Sequence, residues 1–446
     1  MVKLIQSEIS MSNRRTFVKQ LSGIAGALSL SEYLNPVYAA GLKNAADKIA
    51  HLSPAEAAEN EDFWAWVKEN YTVSSTVLNL NNGGVSPQPK IVQDAHIKYY
   101  QLCNEGPSYY MWKILDQGRE PLRAKLAELA GCSTEEIAIN RNATEGLNTI
   151  IFGLNLKAGD EVVLTRYDYP NMTNAWKQRE KREGIKLVWI DLPLPCEDDA
   201  TLIKLYENAI TERTKIVHVT HMINLTGQAM PAKEIIRMAH SKGCETILDG
   251  AHTFAHYEYK LADLDCDYFA TSLHKWLCAP FGSGMMYVKK DKIKNVWALL
   301  SNDKPEGDDI RKFETIGTRS FASEMAIATA VDFHNLIGSK RKEERLRYLK
   351  NYWAEKALKI PKVKMTTSLL PKYSCALAHF SIEGWQGTDI AETLFEKYKI
   401  LTAGIVKEKI NGVRVTPSVY TSPKDLDRLV KAIEEISKME PPLKKL

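Results

Sequence analysis

Between Glu136 and Val288 the chain alternates short runs rich in apolar and β-branched residues with longer stretches of helical periodicity. The short runs predict strands at 137–140, 161–165, 186–190, 215–220, 245–248, 268–272 and 285–289. Helical patterns lie between them, for example at 144–153, 171–182, 201–209 and 231–241. Strand and helix in alternation predict an α/β fold with a mostly parallel, seven-stranded sheet covered on both faces. In such sheets ligands bind beyond the carboxyl ends of the strands, and the strand ends are where chemistry is to be sought.

With 446 residues the chain is long enough that one hydrophobic core stops growing and a second domain is expected. Residues 76–320 read as a large domain. After Phe321 the pattern changes to a long helical stretch through Lys359, followed by strand-like segments at 376–382 and 412–415 and helices at 388–398 and 424–437. These predict a small α+β domain over 321–446. The charge run Ser339-Lys340-Arg341-Lys342-Glu343-Glu344-Arg345 reads as a solvated helix face. Residues 40–75, rich in Ala and Glu with Phe63, Trp64 and Trp66, read as a linker and a helix packed on the main body.

The first 39 residues read as a targeting segment. Asn13-Arg14-Arg15-Thr16-Phe17-Val18-Lys19 precedes a modestly apolar stretch at 21–30 and then Val37-Tyr38-Ala39 ahead of Ala40, the layout of a secretory signal. The paired arginines resemble a twin-arginine export signal, with Met11 as an alternative start. An apolar middle of about ten residues is too short to span a bilayer. This predicts a bacterial protein passed through the twin-arginine translocase, which carries folded, cofactor-loaded proteins, to the periplasm or the medium. Seven cysteines, an odd number without a CxxC pair, indicate no disulfide framework. A net charge of +4 without a basic, aromatic-interleaved cluster sets nucleic acid aside as a partner.

Two segments ask for one cofactor. In Thr271-Ser272-Leu273-His274-Lys275-Trp276 a lysine stands beside hydroxyl and imidazole groups, and Asp249-Gly250-Ala251-His252 closes the apolar run Thr246-Ile247-Leu248. A lysine amine can hold pyridoxal phosphate as a Schiff base, and a carboxylate at the end of a buried strand can pair with a protonated pyridine nitrogen. Asn142-Ala143-Thr144-Glu145-Gly146 opens a predicted helix, where free backbone N–H groups favour a phosphate. His218 and His221 do not suggest a metal, because on a strand they point to opposite faces. His252 and His256 could share a helix face, but without carboxylate or cysteine company they do not make a zinc site.

From about Asn79 to the C-terminus, the order and spacing of these pieces resemble the class V aminotransferase family of fold-type I pyridoxal phosphate enzymes, most of all its isopenicillin N epimerase-like branch. The resemblance implies that Ala143, Thr144, Ser272 and His274 hold the phosphate. It implies that Thr318, in Thr315-Ile316-Gly317-Thr318-Arg319, reaches the phosphate of the neighbouring subunit of a homodimer. Tyr167 falls where relatives place a ring stacked on the pyridine, often a histidine, and Tyr169 competes for that place. Asn224 and His252 match the positions on either side of the phenolic oxygen. Arg414 matches the arginine that grips a substrate carboxylate. Asn82, in Asn81-Asn82-Gly83-Gly84-Val85, belongs to a loop over the substrate. Lys275 would form the Schiff base and, once displaced, act as the base at Cα.

A cysteine desulfurase needs a mobile thiolate ahead of the carboxylate arginine. Here that region reads Leu401-Thr402-Ala403-Gly404-Ile405-Val406, without cysteine, while Cys278 and Cys375 read as packing. The expectation is therefore chemistry that starts with Cα proton removal from an amino acid or amine: epimerisation or transamination, with a C–S or other β-lyase as the alternative. Tyr167 or another tyrosine would supply the proton on the face opposite Lys275. A catalytically silent pyridoxal phosphate binder is the reading from another class, and the set Lys275, Asp249 and Arg414 argues against it.

Overall fold

The computed structural model describes residues 41, 44–300 and 302–442, and the signal expected at 1–39 lies outside them. The strands are β1 (Leu78–Asn79), β2 (Ile137–Asn140), β3 (Glu161–Thr165), β4 (Lys186–Ile190), β5 (Thr214–Thr220), β6 (Glu245–Asp249), β7 (Tyr268–Ser272), β8 (Gly284–Val288), β9 (Val363–Met365), β10 (Ala378–Ile382), β11 (Ile400–Leu401), β12 (Ala403–Lys407) and β13 (Ile410–Val415). The large sheet has seven strands in the order β2-β8-β7-β6-β5-β3-β4, with β8 antiparallel to both neighbours and the remaining pairs parallel. The carboxyl ends of β2, β3, β5, β6 and β7 therefore share one edge.

The strands alternate between two cores. Ile139, Val163, Val217, Leu248, Phe269 and Met285 face one, while Ala138, Val162, Ile216, Ile247, Tyr268 and Met286 face the other. Both faces are buried, so β3, β7 and β8 carry no exposed position, as a covered parallel sheet requires. Each fully buried aliphatic side chain contributes about 1.5–3 kcal/mol. Helices α1 (Ala143–Gly153) and α2 (Pro170–Glu183) cover the second core, and Asp199–Ala209 and Ala232–Ser241 the first.

The smaller sheet is antiparallel, in the order β12-β13-β10-β9. It packs with α3 (Ser339–Ala357), Gly387–Tyr398 and Pro423–Ser437 around Trp353, Phe380, Leu394 and Leu426. The boundary expected at Phe321 falls later in the packing. Helix Phe321–Ile337 buries Phe321, Met325 and Ile327 in the large-sheet core, and the expected long helix breaks at Gly338, which has φ +91°. In the opposite sense, Leu78 and Leu80 belong to the small core, because β1 pairs in parallel with β11.

The charge run is not a solvated face. Lys342, Glu343 and Arg345 are buried: Lys342 donates to the Trp276 carbonyl, and Arg345 to the Ala58 carbonyl and Glu61. These bonds lie inside the contact between α3, the Lys275 loop and the N-terminal helices, where Phe63 and Trp64 are buried. All seven cysteines are free thiols. Among the described residues no helix is long and apolar enough to cross a membrane.

Candidate active site

At the shared carboxyl edge of the large sheet lies a cavity of about 350 Å³, closed on its far side by Gly83–Val85 and by Arg414 of β13. Lys275 reaches it from the loop after β7. Its Nζ lies 3.1 Å from His252 Nε2, and burial lowers its pKa to about 8, with Arg414 adding to the depression and Asp249 opposing it. Burial, together with the positive charges of Lys275 and Arg414, holds His252 well below the ordinary histidine range. Its imidazole is neutral.

Asp249 ends β6 beneath the same cavity. One oxygen accepts the Ala251 N–H at 2.9 Å, and burial raises its pKa. A carboxylate in that position is stabilised by a cationic N–H partner. On the other side of the cavity, α1 starts at Ala143. Asn142 caps it by accepting the Glu145 N–H at 2.9 Å, and the Ala143 N–H donates to Ser272 Oγ at 2.9 Å. That hydroxyl therefore keeps its own hydrogen for another acceptor. Thr144 and His274 complete this corner, and the helix dipole adds to its preference for an anion.

Arg414 is braced rather than free. Its guanidinium donates to the Asn224 carbonyl and to Asn81 Oδ1, both at 3.0 Å, and burial lowers its pKa to about 10. Arg414 Nε and Asn224 Oδ1 are buried without a protein partner. Both belong to residues that line the cavity.

Three expected site residues stand elsewhere. Tyr167 is buried in the large-sheet core, with its hydroxyl donating to Asp191 at 2.7 Å; it can neither stack in the cavity nor donate a proton there. Tyr169 lines the cavity instead. The reason is Asp168, whose side chain accepts from the Thr165 N–H, the Thr165 hydroxyl and the Thr220 hydroxyl. This pins the turn so that Tyr167 points inward, while Tyr169 stands in extended backbone immediately before the proline that opens α2. Asn82 is a loop anchor, donating to the Thr416 carbonyl at 2.8 Å and accepting from the Tyr420 hydroxyl at 2.6 Å. Its neighbours face the site: Asn81 holds Arg414, and a Cβ on Gly83 would come within 2.9 Å of Thr416 Cγ2. Thr318 is exposed and does not line its own chain's cavity. His252 and His256 lie in consecutive turns rather than on a helix, and no metal-holding cluster occurs among the described residues.

The donor set fits pyridoxal phosphate. An anion corner, a carboxylate for the ring nitrogen, an amide and an imidazole for the phenolic oxygen and an amine for the aldehyde surround one cavity, and three of its lining residues, Arg414, Asn224 and His252, each hold a buried polar atom without a protein partner. Fold and site thus define a fold-type I, pyridoxal-phosphate-dependent enzyme. The family model described as Aminotransferase class-V matches residues 78–429, and the chain belongs to that family.

Among its relatives, an isopenicillin N epimerase of Amycolatopsis lactamdurans is 27% identical over 84% of this chain and 99% of its own length. A probable cysteine desulfurase of Synechocystis is 27% identical over 73% of this chain and 82% of its own length. Among solved structures, a cysteine desulfurase of Thermococcus onnurineus superimposes with a TM-score of 0.75 at 23% identity, covering 85% of this chain and 98% of its own. A cystine C–S lyase in complex with cysteine persulfide gives 0.72 at 21% identity, covering 82% and 99%.

The Lys275 amine gives a pH signature. Below about pH 8 it is protonated and cannot attack an aldehyde. Covalent capture of pyridoxal phosphate by the cofactor-free protein is therefore expected to slow about tenfold per pH unit on the acid side of about 8 and to level off above it. Stopped-flow absorbance measures this. A rate that keeps rising to about pH 10, the range of an ordinary lysine, would show that Lys275 is not the reacting amine.

Proposed function

We propose that this enzyme removes the Cα proton of an amino acid whose carboxylate is held by Arg414, and returns a proton either to the opposite face of Cα or to the cofactor side, giving epimerisation or transamination. The observation that carries the reading is the Lys275 amine, 3.1 Å from a neutral His252, in a cavity that no cysteine lines. With a pKa near 8, Lys275 matches the requirement for a base at neutral pH. Cys375 and Cys278 are buried in the packing around α3 and cannot accept sulfur from a substrate in the cavity.

Pyridoxal phosphate, which Lys275 would hold, would supply a ring able to accept the electron pair left at Cα. The chain's residues do the rest. Asp249 keeps the ring nitrogen protonated, and Ser272 with the start of α1 anchors the phosphate. Arg414, fixed by Asn81 and the Asn224 carbonyl, orients the carboxylate so that the Cα–H bond faces Lys275. Tyr169, which lines the cavity, is the ring that would stack on the cofactor and offer a hydroxyl as proton donor. A β-lyase is the second reading, favoured by relatives such as the hercynylcysteine sulfoxide lyase of Schizosaccharomyces pombe, 21% identical over 85% of this chain. It starts with the same proton removal.

Two further features belong to this proposal. The active unit is a homodimer in which Thr318 contributes to the neighbouring site, a role supported by its exposure and by its place outside its own cavity. The enzyme is exported by the twin-arginine route, supported by the arginine pair ahead of the apolar stretch at 21–30.

The test is incubation of purified protein with L- and D-amino acids in D2O, scoring the cofactor absorbance, deuterium at Cα, inversion and released acids. Exchange with inversion establishes an epimerase, and exchange with 2-oxo acid formation a transaminase. Release of pyruvate or sulfide moves the assignment to a lyase. No spectral response to any amine overturns the proposal.

A further inference from the structure

His256 lies outside the cavity lining, yet three contacts fix it, two of them to the segments that carry His252 and Lys275. Its Nε2 accepts the Ala376 N–H at 2.9 Å. A backbone N–H can only donate, so Nε2 carries no proton and Nδ1 does. The proton on Nδ1 then goes to the His252 carbonyl at 2.7 Å. The imidazole also stacks on Trp276, the residue after Lys275, with ring centroids 3.6 Å apart and planes within 8°. The Trp276 carbonyl is held from the other side by the buried ammonium of Lys342.

Burial, with the charges of Arg347 and Lys342 adding to it and the bond to the His252 carbonyl opposing it, pushes the His256 pKa down to about 3, so the neutral tautomer persists throughout the working range. The ring is buried, has both nitrogens engaged, and has one face covered by an indole. It cannot rotate without breaking two hydrogen bonds and a stack.

We propose that His256 is a positioning residue for the reaction: by fixing the backbone of His252, it sets the contact between the His252 imidazole and the Lys275 amine. The inference rests on the reading of Lys275 and His252 as the base and its partner. The tie to Ala376, just ahead of β10, explains the choice of histidine. Only a ring with an acceptor at one nitrogen and a donor at the other bridges that N–H and the His252 carbonyl while lying flat on Trp276.

Two conservative variants separate the bonds. His256→Asn carries its amide NH2 about where Nδ1 stands and keeps the bond to the His252 carbonyl while losing the one to Ala376. His256→Gln carries its amide oxygen about where Nε2 stands and does the reverse. Two readouts are used on the full chain. One is the pH midpoint of the cofactor absorbance in the holoenzyme. The other, after cofactor removal, is the pH midpoint of Lys275 labelling by an amine-reactive reagent, mapped by peptide mass spectrometry.

Losing the hydrogen bond that aligns His252 is expected to lower the labelling midpoint in His256→Gln by roughly half a pH unit or more, the scale of one net hydrogen bond. The absorbance midpoint moves as well, and kcat falls about tenfold with KM little changed, as misplacement of a reacting group produces. His256→Asn is expected to keep both midpoints within about 0.2 units of the parent. Unmoved midpoints in His256→Gln, or a shift in His256→Asn alone, overturn the role. A parent protein that takes up no pyridoxal phosphate fails the reading of the site, and the labelling midpoints then still decide whether His256 governs Lys275.

Discussion

Replacing Lys275 with alanine is expected to lower kcat by a factor on the order of a thousand or more while leaving the protein folded. The size follows from the two functions lost together, the covalent hold on the cofactor and the proton transfer at Cα, since a positioned general base alone is worth about 10²–10⁴-fold. The fold survives because the amine's hydrogen-bond partner is His252, and its ammonium form is disfavoured where it sits. Deleting it removes a group whose charged form burial already penalises, so little stability is lost. The melting temperature of the cofactor-free variant should fall within about 4 °C of the parent, and its bound pyridoxal phosphate should dialyse away. Residual kcat within tenfold of the parent would contradict the role.

Asp249→Asn tests the other end of the cavity and is expected to cost on the order of a hundredfold to a few thousandfold in kcat. Breaking a buried ion pair by removing one partner costs about 3–5 kcal/mol, and each 1.36 kcal/mol is tenfold in rate. The substitution is well suited to the purpose, because asparagine keeps an oxygen to accept the Ala251 N–H that Asp249 accepts at 2.9 Å. What it loses is the negative charge proposed to face the ring nitrogen. Steady-state kinetics should show kcat falling far more than KM rises. A loss below about threefold would mean that Asp249 serves the turn after β6 and not the cofactor.

Much of the fold was legible because the large sheet is covered on both faces. Strands such as Glu161–Thr165 and Tyr268–Ser272 are buried along their whole length, and a short, continuous apolar run between polar helices fits little besides a doubly covered strand. The short strands escaped for the opposite reason. Val363–Met365 and Ala403–Lys407 are partly exposed, and Leu78–Asn79 is two residues whose pairing with Ile400–Leu401 no local pattern announces. The helix at Phe321–Ile337 had the composition expected of it but not the partner, since which core a helix joins is decided by contacts distant in sequence.

The site divides in the same way. Lys275, Asp249, His252, Asn224, Ala143, Thr144, Ser272, His274 and Arg414 come together as their motifs led one to expect. Tyr167 and Asn82 went astray by one or two positions, because Asp168 and Tyr420 decide which side chain of each loop faces the cavity. A proline directly after Tyr169, opening a helix at the strand edge, was the available signal. His256 carried none: its meaning lies in the N–H of Ala376, 120 residues away.

Lys275 is the residue expected to bind pyridoxal phosphate covalently. Hydride reduction of the purified holoenzyme, followed by proteolysis and peptide mass mapping, tests it directly. A single pyridoxyl-phosphate mass is expected on the peptide containing Ser272-Leu273-His274-Lys275, absent from the Lys275→Ala variant. A label on another lysine, or no label on a protein that retains the cofactor absorbance, would contradict it.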